Sequence, residues 1–344
     1  MSSARKWSVR FFGTVLALLQ LLLVFSVPIS AEPISAKPIS AKPISTEPSV
    51  NAKPTRIDLD AGLHEPFKHE LQTKHFSFYS VSKSDAAKIY SEYLEDFLSW
   101  LNLHLVSIPP GWHLTIYLYP DAKTLNGEGC TRGPHRKMEG RFVQTRNAVY
   151  SYDECGIGTL THELMHKVLH ENFRELEPWA KEGIPTLFEC VYGYKSSSGE
   201  PVIFLGFQNP WRLKELGARL SHLTLAQISS PHAAEDPYEE SDKRLLSTFL
   251  VSRSKLKEYF RLANSADHQG YSTLLEATFR KPMAELEPDF KTFINSIVQN
   301  RAKLQQLPAA QYFKDQSQFD AFCKEHNGAL QSQPNAGVAK RSSI

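Results

Sequence analysis

Cysteine is scarce in this chain of 344 residues: there are four, Cys130, Cys155, Cys190 and Cys323, and no two stand in a C-x-x-C spacing. That excludes a cysteine-based zinc knot and a dithiol redox motif. A surplus of charge of one sign is also missing, with 39 Lys and Arg against 37 Asp and Glu. A near-neutral chain has no field to gather nucleic acid or anionic lipid, so nucleic-acid binding is set aside. Long apolar runs are absent with one exception, residues 11–27. Arg5, Lys6 and Arg10 precede that run, and Pro28-Ile29-Ser30-Ala31 closes it. A basic start, an apolar middle and a small residue to cut after is the order of a secretory signal. The run is also short for a membrane span, which wants about 20 residues. Residues 1–31 therefore read as a cleaved signal peptide, with an uncleaved anchor as the other reading. Both put the rest of the chain outside the cytoplasm, as a secreted, periplasmic or membrane-anchored protein. A membrane enters only if that segment is kept. Without those residues 36 basic side chains face 37 acidic ones, a net charge of −1.

What is present divides the chain into parts. Residues 31–49 repeat a five-residue unit, AEPIS-AKPIS-AKPIS-TEPS, with a proline in each. Proline fixes φ and removes an amide donor, so residues 32–54 read as a semi-extended linker. The folded part begins near Thr55. Alternating aromatics from His75 to Val81 predict a strand, and apolar residues at three- and four-residue spacing over 84–103 predict an amphipathic helix. Leu114, Ile116 and Leu118 alternate in a second strand. Two short strands, 141–143 and 148–152, meet at Arg146-Asn147. Thr159 or Thr161 can cap a helix running to about Asn172. Nearly every later signal is helical. The expected outline is α+β: a subdomain over 55–175 with a small mixed sheet, a helical subdomain over 176–305, and a partly disordered tail over 306–344. In an exported chain an even cysteine count permits disulfides. Cys130 and Cys155 bracket the two short strands, so that pair is the expected bridge. The other reading is four buried free thiols.

The chemistry concentrates at Thr161-His162-Glu163-Leu164-Met165-His166, an HExxH pattern. On a helix, residues four apart share a face about 6 Å apart along the axis, so two imidazoles there can converge on one ion. Glu163 lies one residue round from His162 and can reach a water without ligating the metal. Leu160, Leu164, Met165, Val168 and Leu169 bury this helix, and buried polar groups need partners. A catalytic zinc wants a third protein ligand. His170 is about 12 Å along the helix from His162, too far for one ion. HExxHxxGxxH is excluded by Leu169 and Asn172. Downstream, Pro178-Trp179-Ala180-Lys181-Glu182-Gly183 offers a carboxylate on a second helical segment started by proline.

The two segments together resemble the gluzincin pattern of zinc metallopeptidases, HExxH followed by W-x-x-E-G. The likeness is closest to peptidase MA-like domains of secreted and membrane-associated bacterial proteins, over roughly residues 70–300. It implies a zincin-like fold, a small mixed sheet with an active-site helix followed by a mostly helical half. It implies one zinc ion held by His162, His166 and Glu182, Glu163 as general base, and a peptide or protein substrate. It offers Tyr238 as the oxyanion donor, with His222 and His232 as rivals, and the strand 148–152 as the edge on which a substrate backbone would lie. Two departures stand out. The family's usual alanine is replaced by Ile184-Pro185, and Pro185 is expected to kink or restart the second helix. Where thermolysin-like enzymes carry an aspartate four residues after the ligand glutamate, to orient a ligating histidine, this chain has Thr186; Glu189 is the candidate for that task. The competing reading is a zinc-containing peptide-binding or cell-envelope protein that hydrolyses nothing.

Overall fold

The computed structural model describes residues 67–127, 139–173, 176–230, 239–265 and 270–334. The expected signal peptide and proline-rich linker, Cys130, His232 and Tyr238 lie outside the described residues. The first sheet is built from β1 (His69–Gln72), β2 (Phe76–Ser80), β3 (Leu114–Tyr119), β4 (Arg141–Val143) and β5 (Ala148–Tyr152), in the order β1-β2-β3-β5-β4. β2, β3 and β5 run parallel, and β1 and β4 flank them antiparallel. Parallel neighbours need a crossover. Between β2 and β3 it is helix α1 (Ala86–His104), and a short α2 (Ala122–Gly127) follows β3. Alternation in the strands sends Phe76, Phe78, Leu114, Ile116 and Leu118 into the core, where α1 meets them with Tyr93, Leu94, Phe97 and Leu101. The turn from β4 to β5 closes on Asn147 in the left-handed region, which asparagine tolerates.

Next come α3 (Gly156–Asn172) and α4 (Pro178–Leu187). A second sheet, unforeseen in the expected helical half, is formed by β6 (Tyr192–Lys195), β7 (Pro201–Phe204) and β8 (Gln311–Phe313) in the order β7-β6-β8. The helices of this half are α5 (Pro210–Leu216), α6 (Leu225–Ser229), α7 (Glu239–Ser252), α8 (Leu256–Ser265), α9 (Leu274–Phe279) and α10 (Met283–Leu304), and α11 (Gln316–Glu325) and α12 (Asn327–Gln331) follow β8. The class is thus α+β, as expected. One core runs from Phe76 through Leu164 and Ile184 to Ile297, joining the parts expected over 55–175 and 176–305.

Within the segment expected as a partly disordered tail, residues 306–334 are built into the fold. β8 pairs parallel with β6, and Phe319 and Phe322 of α11 pack on Tyr194 and Tyr192. Gln333 accepts a hydrogen bond from the Gln208 amide at 2.9 Å. Burial of those aromatics holds the segment to the second sheet. Among the described residues no helix is long and apolar enough to cross a membrane.

Candidate metal centre

α3 is buried through Leu160, Leu164, Met165 and Val168, which leaves its His162–His166 turn to line a cleft of about 1060 Å³. One turn apart, the two imidazoles bring their Nε2 atoms to 3.0 Å. Thr159 and Thr161 do not cap this helix: Gly156 begins it, and the two hydroxyls donate back to Cys155 O and Ile157 O. Thr161 also donates to Phe188 O at 2.9 Å, tying α3 to the segment that follows α4.

α4 starts at Pro178, whose fixed φ suits a first turn. Trp179 is fully buried; its indole N–H donates to Glu177 Oε2 at 3.2 Å and its ring lies 5.4 Å from that of Tyr259. Gly183 lets α4 close on α7, because a Cβ there would stand 2.7 Å from Lys243 O. So anchored, α4 carries Glu182 Oε2 to 3.5 Å from His166 Nε2 and 3.9 Å from His162 Nε2. The three candidate ligand atoms lie within 4.8 Å of one another. Zinc–ligand bonds of about 2.0–2.1 Å in a tetrahedron set neighbouring ligand atoms roughly 3.3 Å apart. Separations of 3.0, 3.5 and 3.9 Å bracket that value, so the three residues fit a zinc ion.

Pro185 does not restart α4. The helix continues through it to Leu187, because the proline falls in the last turn and only one carbonyl loses its donor. Phe188 N closes the end on Pro185 O at 3.0 Å. Thr186 donates its hydroxyl to Gly183 O at 2.7 Å. Glu189 reaches His162 instead, just past the end of the helix. Its Oε1 stands 3.1 Å from His162 Nδ1, the ring nitrogen other than the one nearest Glu182. A carboxylate at Nδ1 keeps the ring proton there and leaves Nε2 as a bare lone pair for a metal. Gly158 makes the approach possible, since a Cβ on it would meet Glu189 O at 2.3 Å.

The charges follow from these contacts. Burial pushes the His162 imidazole down, yet Glu189, Glu163 and Glu182 outweigh it and raise the group to about 9. Burial pushes Glu189 up, but Arg212 and His162 hold its carboxyl far below the usual carboxylate range. Arg212 was not singled out from the sequence. Nor was Asn209, whose Nδ2 donates to Glu189 Oε2 at 3.0 Å. Neither has a spacing signal relative to HExxH.

Glu163 stands outside the converging trio. Its Oε2 accepts the Phe142 amide at 2.6 Å, docking it on the strand β4. β5, expected to receive a substrate backbone, is paired on both sides, by β3 and β4; among the described residues the edge of the sheet here is β4. His170 meets Gln144 and His222 is exposed; neither joins the trio. The expected Cys130–Cys155 bridge gives way to the other reading at its described end. Cys155 is a free buried thiol, 3.9 Å from Tyr90 Oη, and burial pushes it up to about 11. The chain matches no protein-family model, and no curated protein is found to match it.

Proposed function

We propose that this chain is a zinc-dependent metallopeptidase of the gluzincin type, with a zincin-like fold, acting on peptides or proteins outside the cytoplasm. The observation that carries the reading is the convergence of His162 Nε2, His166 Nε2 and Glu182 Oε2, from two successive helices, at the floor of an open cleft. Glu163 and Glu189 support it, each in a place with a chemical use. The basic and apolar leader supports export.

Zinc, held by His162, His166 and Glu182, would supply a Lewis acid that polarises a carbonyl and acidifies water. Glu163 takes the proton of the attacking water and hands it to the leaving amine. The Phe142 amide fixes that carboxylate on the cleft wall. The Glu189 carboxylate, 3.1 Å from Nδ1, favours the His162 proton at that nitrogen and so leaves Nε2 for the cleft. The edge strand β4 lies beside Glu163, where an extended peptide can join the sheet.

The test is turnover of a broad peptide library by the zinc-loaded full chain. Wild type should cleave members of it, and Glu163→Gln should keep its zinc while losing about 10²–10⁴-fold in rate. A wild type that holds zinc and cleaves nothing would favour the non-hydrolytic reading.

A further inference from the structure

Glu189 is a buried carboxylate with more partners than a positioning contact to one histidine requires. Arg212 reaches it through two nitrogens, Nε to Oε2 at 3.0 Å and Nη2 to Oε1. The same Oε1 faces His162 Nδ1. A planar guanidinium bound at both oxygens fixes the plane of a carboxylate, not only its position. Arg212 is itself immobilised. Its Nη2 lies 2.8 Å from Glu240 Oε2 on α7, and Nη1 lies 3.5 Å from Glu215 Oε2. The Trp211 ring stacks on its guanidinium at 3.8 Å. Asn209 completes the frame: its Oδ1 caps α5 at Trp211 N, and its Nδ2 donates to Glu189 Oε2. The start of α5 is thereby bound to the carboxylate that faces the metal helix.

We infer that Arg212 is a positioning residue of the metal centre, acting through Glu189 to orient the His162 imidazole toward the ion. The inference rests on the zinc reading above. Removing the guanidinium leaves Glu189 free to rotate about its own side chain. His162 Nε2 then loses its fixed direction, although no ligand has been touched. Outer-shell partners of metal-ligating histidines are generally worth about 10- to 100-fold in metal affinity.

The experiment is zinc affinity of the full chain by chelator competition, together with the visible absorption of the cobalt(II)-substituted protein, which reports ligand geometry. Arg212→Met should weaken zinc by about 10- to 100-fold and change the cobalt spectrum. Arg212→Lys, which offers a single point contact, should recover only part of the loss. Arg219→Gln breaks a different ion pair to α7, with Asp242, and should leave both readouts at wild-type values. In case Arg212→Met fails to fold, Arg212→Met with Glu189→Gln removes the buried pair together. That double variant should bind zinc as tightly as Glu189→Gln alone, since the arginine acts only through the glutamate. Zinc affinity unchanged in Arg212→Met, or a double variant weaker than Glu189→Gln, would overturn the inference and leave the zinc site standing. A wild type that binds no zinc would instead remove the metallopeptidase reading, and the role of Arg212 with it.

Discussion

Glu182 and Glu189 come from one short segment and approach different ring nitrogens of His162, yet their surroundings differ sharply. Glu182 faces the cleft, a quarter of its side chain is exposed, and its nearest histidine contacts are 3.5 and 3.9 Å. Glu189 is 9% exposed and meets Arg212, Asn209 and His162 within about hydrogen-bond distance. A carboxylate built to hold an ion has to leave room for it. One built to aim a ligand has to be locked by the protein itself. The difference teaches that the two glutamates should separate metal binding from fold stability.

The largest effect is expected on the cleft side. Glu182→Ala should lower zinc affinity by more than the roughly 100-fold limit typical of outer-shell residues, because it removes a ligand. The same change should cost the metal-free protein less stability than Glu189→Ala does, because a quarter of the Glu182 side chain is exposed. Glu189→Ala should do the reverse. It strips the partner from a buried arginine, and breaking such a pair generally destabilises by about 3–5 kcal/mol. Denaturant unfolding of the metal-free proteins reads both. Equal losses of stability in the two variants would collapse the distinction.

A smaller effect is expected at Gly183, which sits between the two glutamates and packs against α7. Gly183→Ala places a Cβ against Lys243 O, and overpacking of this kind typically costs about 1–3 kcal/mol. Because the clash lifts the helix that carries Glu182, zinc affinity should fall with stability. Wild-type zinc affinity in a destabilised Gly183→Ala would show that α4 is not held to α7 for the sake of the site.

The last effect is on pH dependence. His162 is raised from its ordinary value of 6.5 to about 9 in the metal-free protein. Its contribution to stability is therefore complete below pH 6.5 and is lost as pH rises through about 9. Metal-free protein should lose melting temperature over that interval. Zinc displaces the proton, so its apparent affinity should climb with pH by up to about tenfold per unit until near pH 9. Glu189→Gln should flatten both trends. If they persist unchanged in that variant, the glutamate is not their source.

Much of the candidate site was legible in the sequence because its parts are local. His162 and His166 are separated by one helical turn, and Glu182 follows a proline and a buried tryptophan that mark a new helix. Glu189 was visible as a carboxylate but not as a locked one, since its lock comes from elsewhere. Arg212 is 23 residues on. No periodicity links it to α3; only the placing of α5 beside α7 brings it in. The same limit applies to the fold. Strands β2 and β3 and the hairpin of β4 and β5 announce themselves by alternation or by a turn. The second sheet depends on β8 returning to β6 from residue 311, and its strands are three or four residues long, too short for alternation to be read. The order of the first sheet, which makes β4 the edge and encloses β5, is likewise a property of pairing and not of either strand.

Zinc per chain, by elemental analysis of the full chain purified without chelator, tests the central claim most directly. About one zinc in the wild type and almost none in His162→Ala with His166→Ala is the expected result. A wild type without zinc, or a double variant that retains it, would contradict the metal centre at its root.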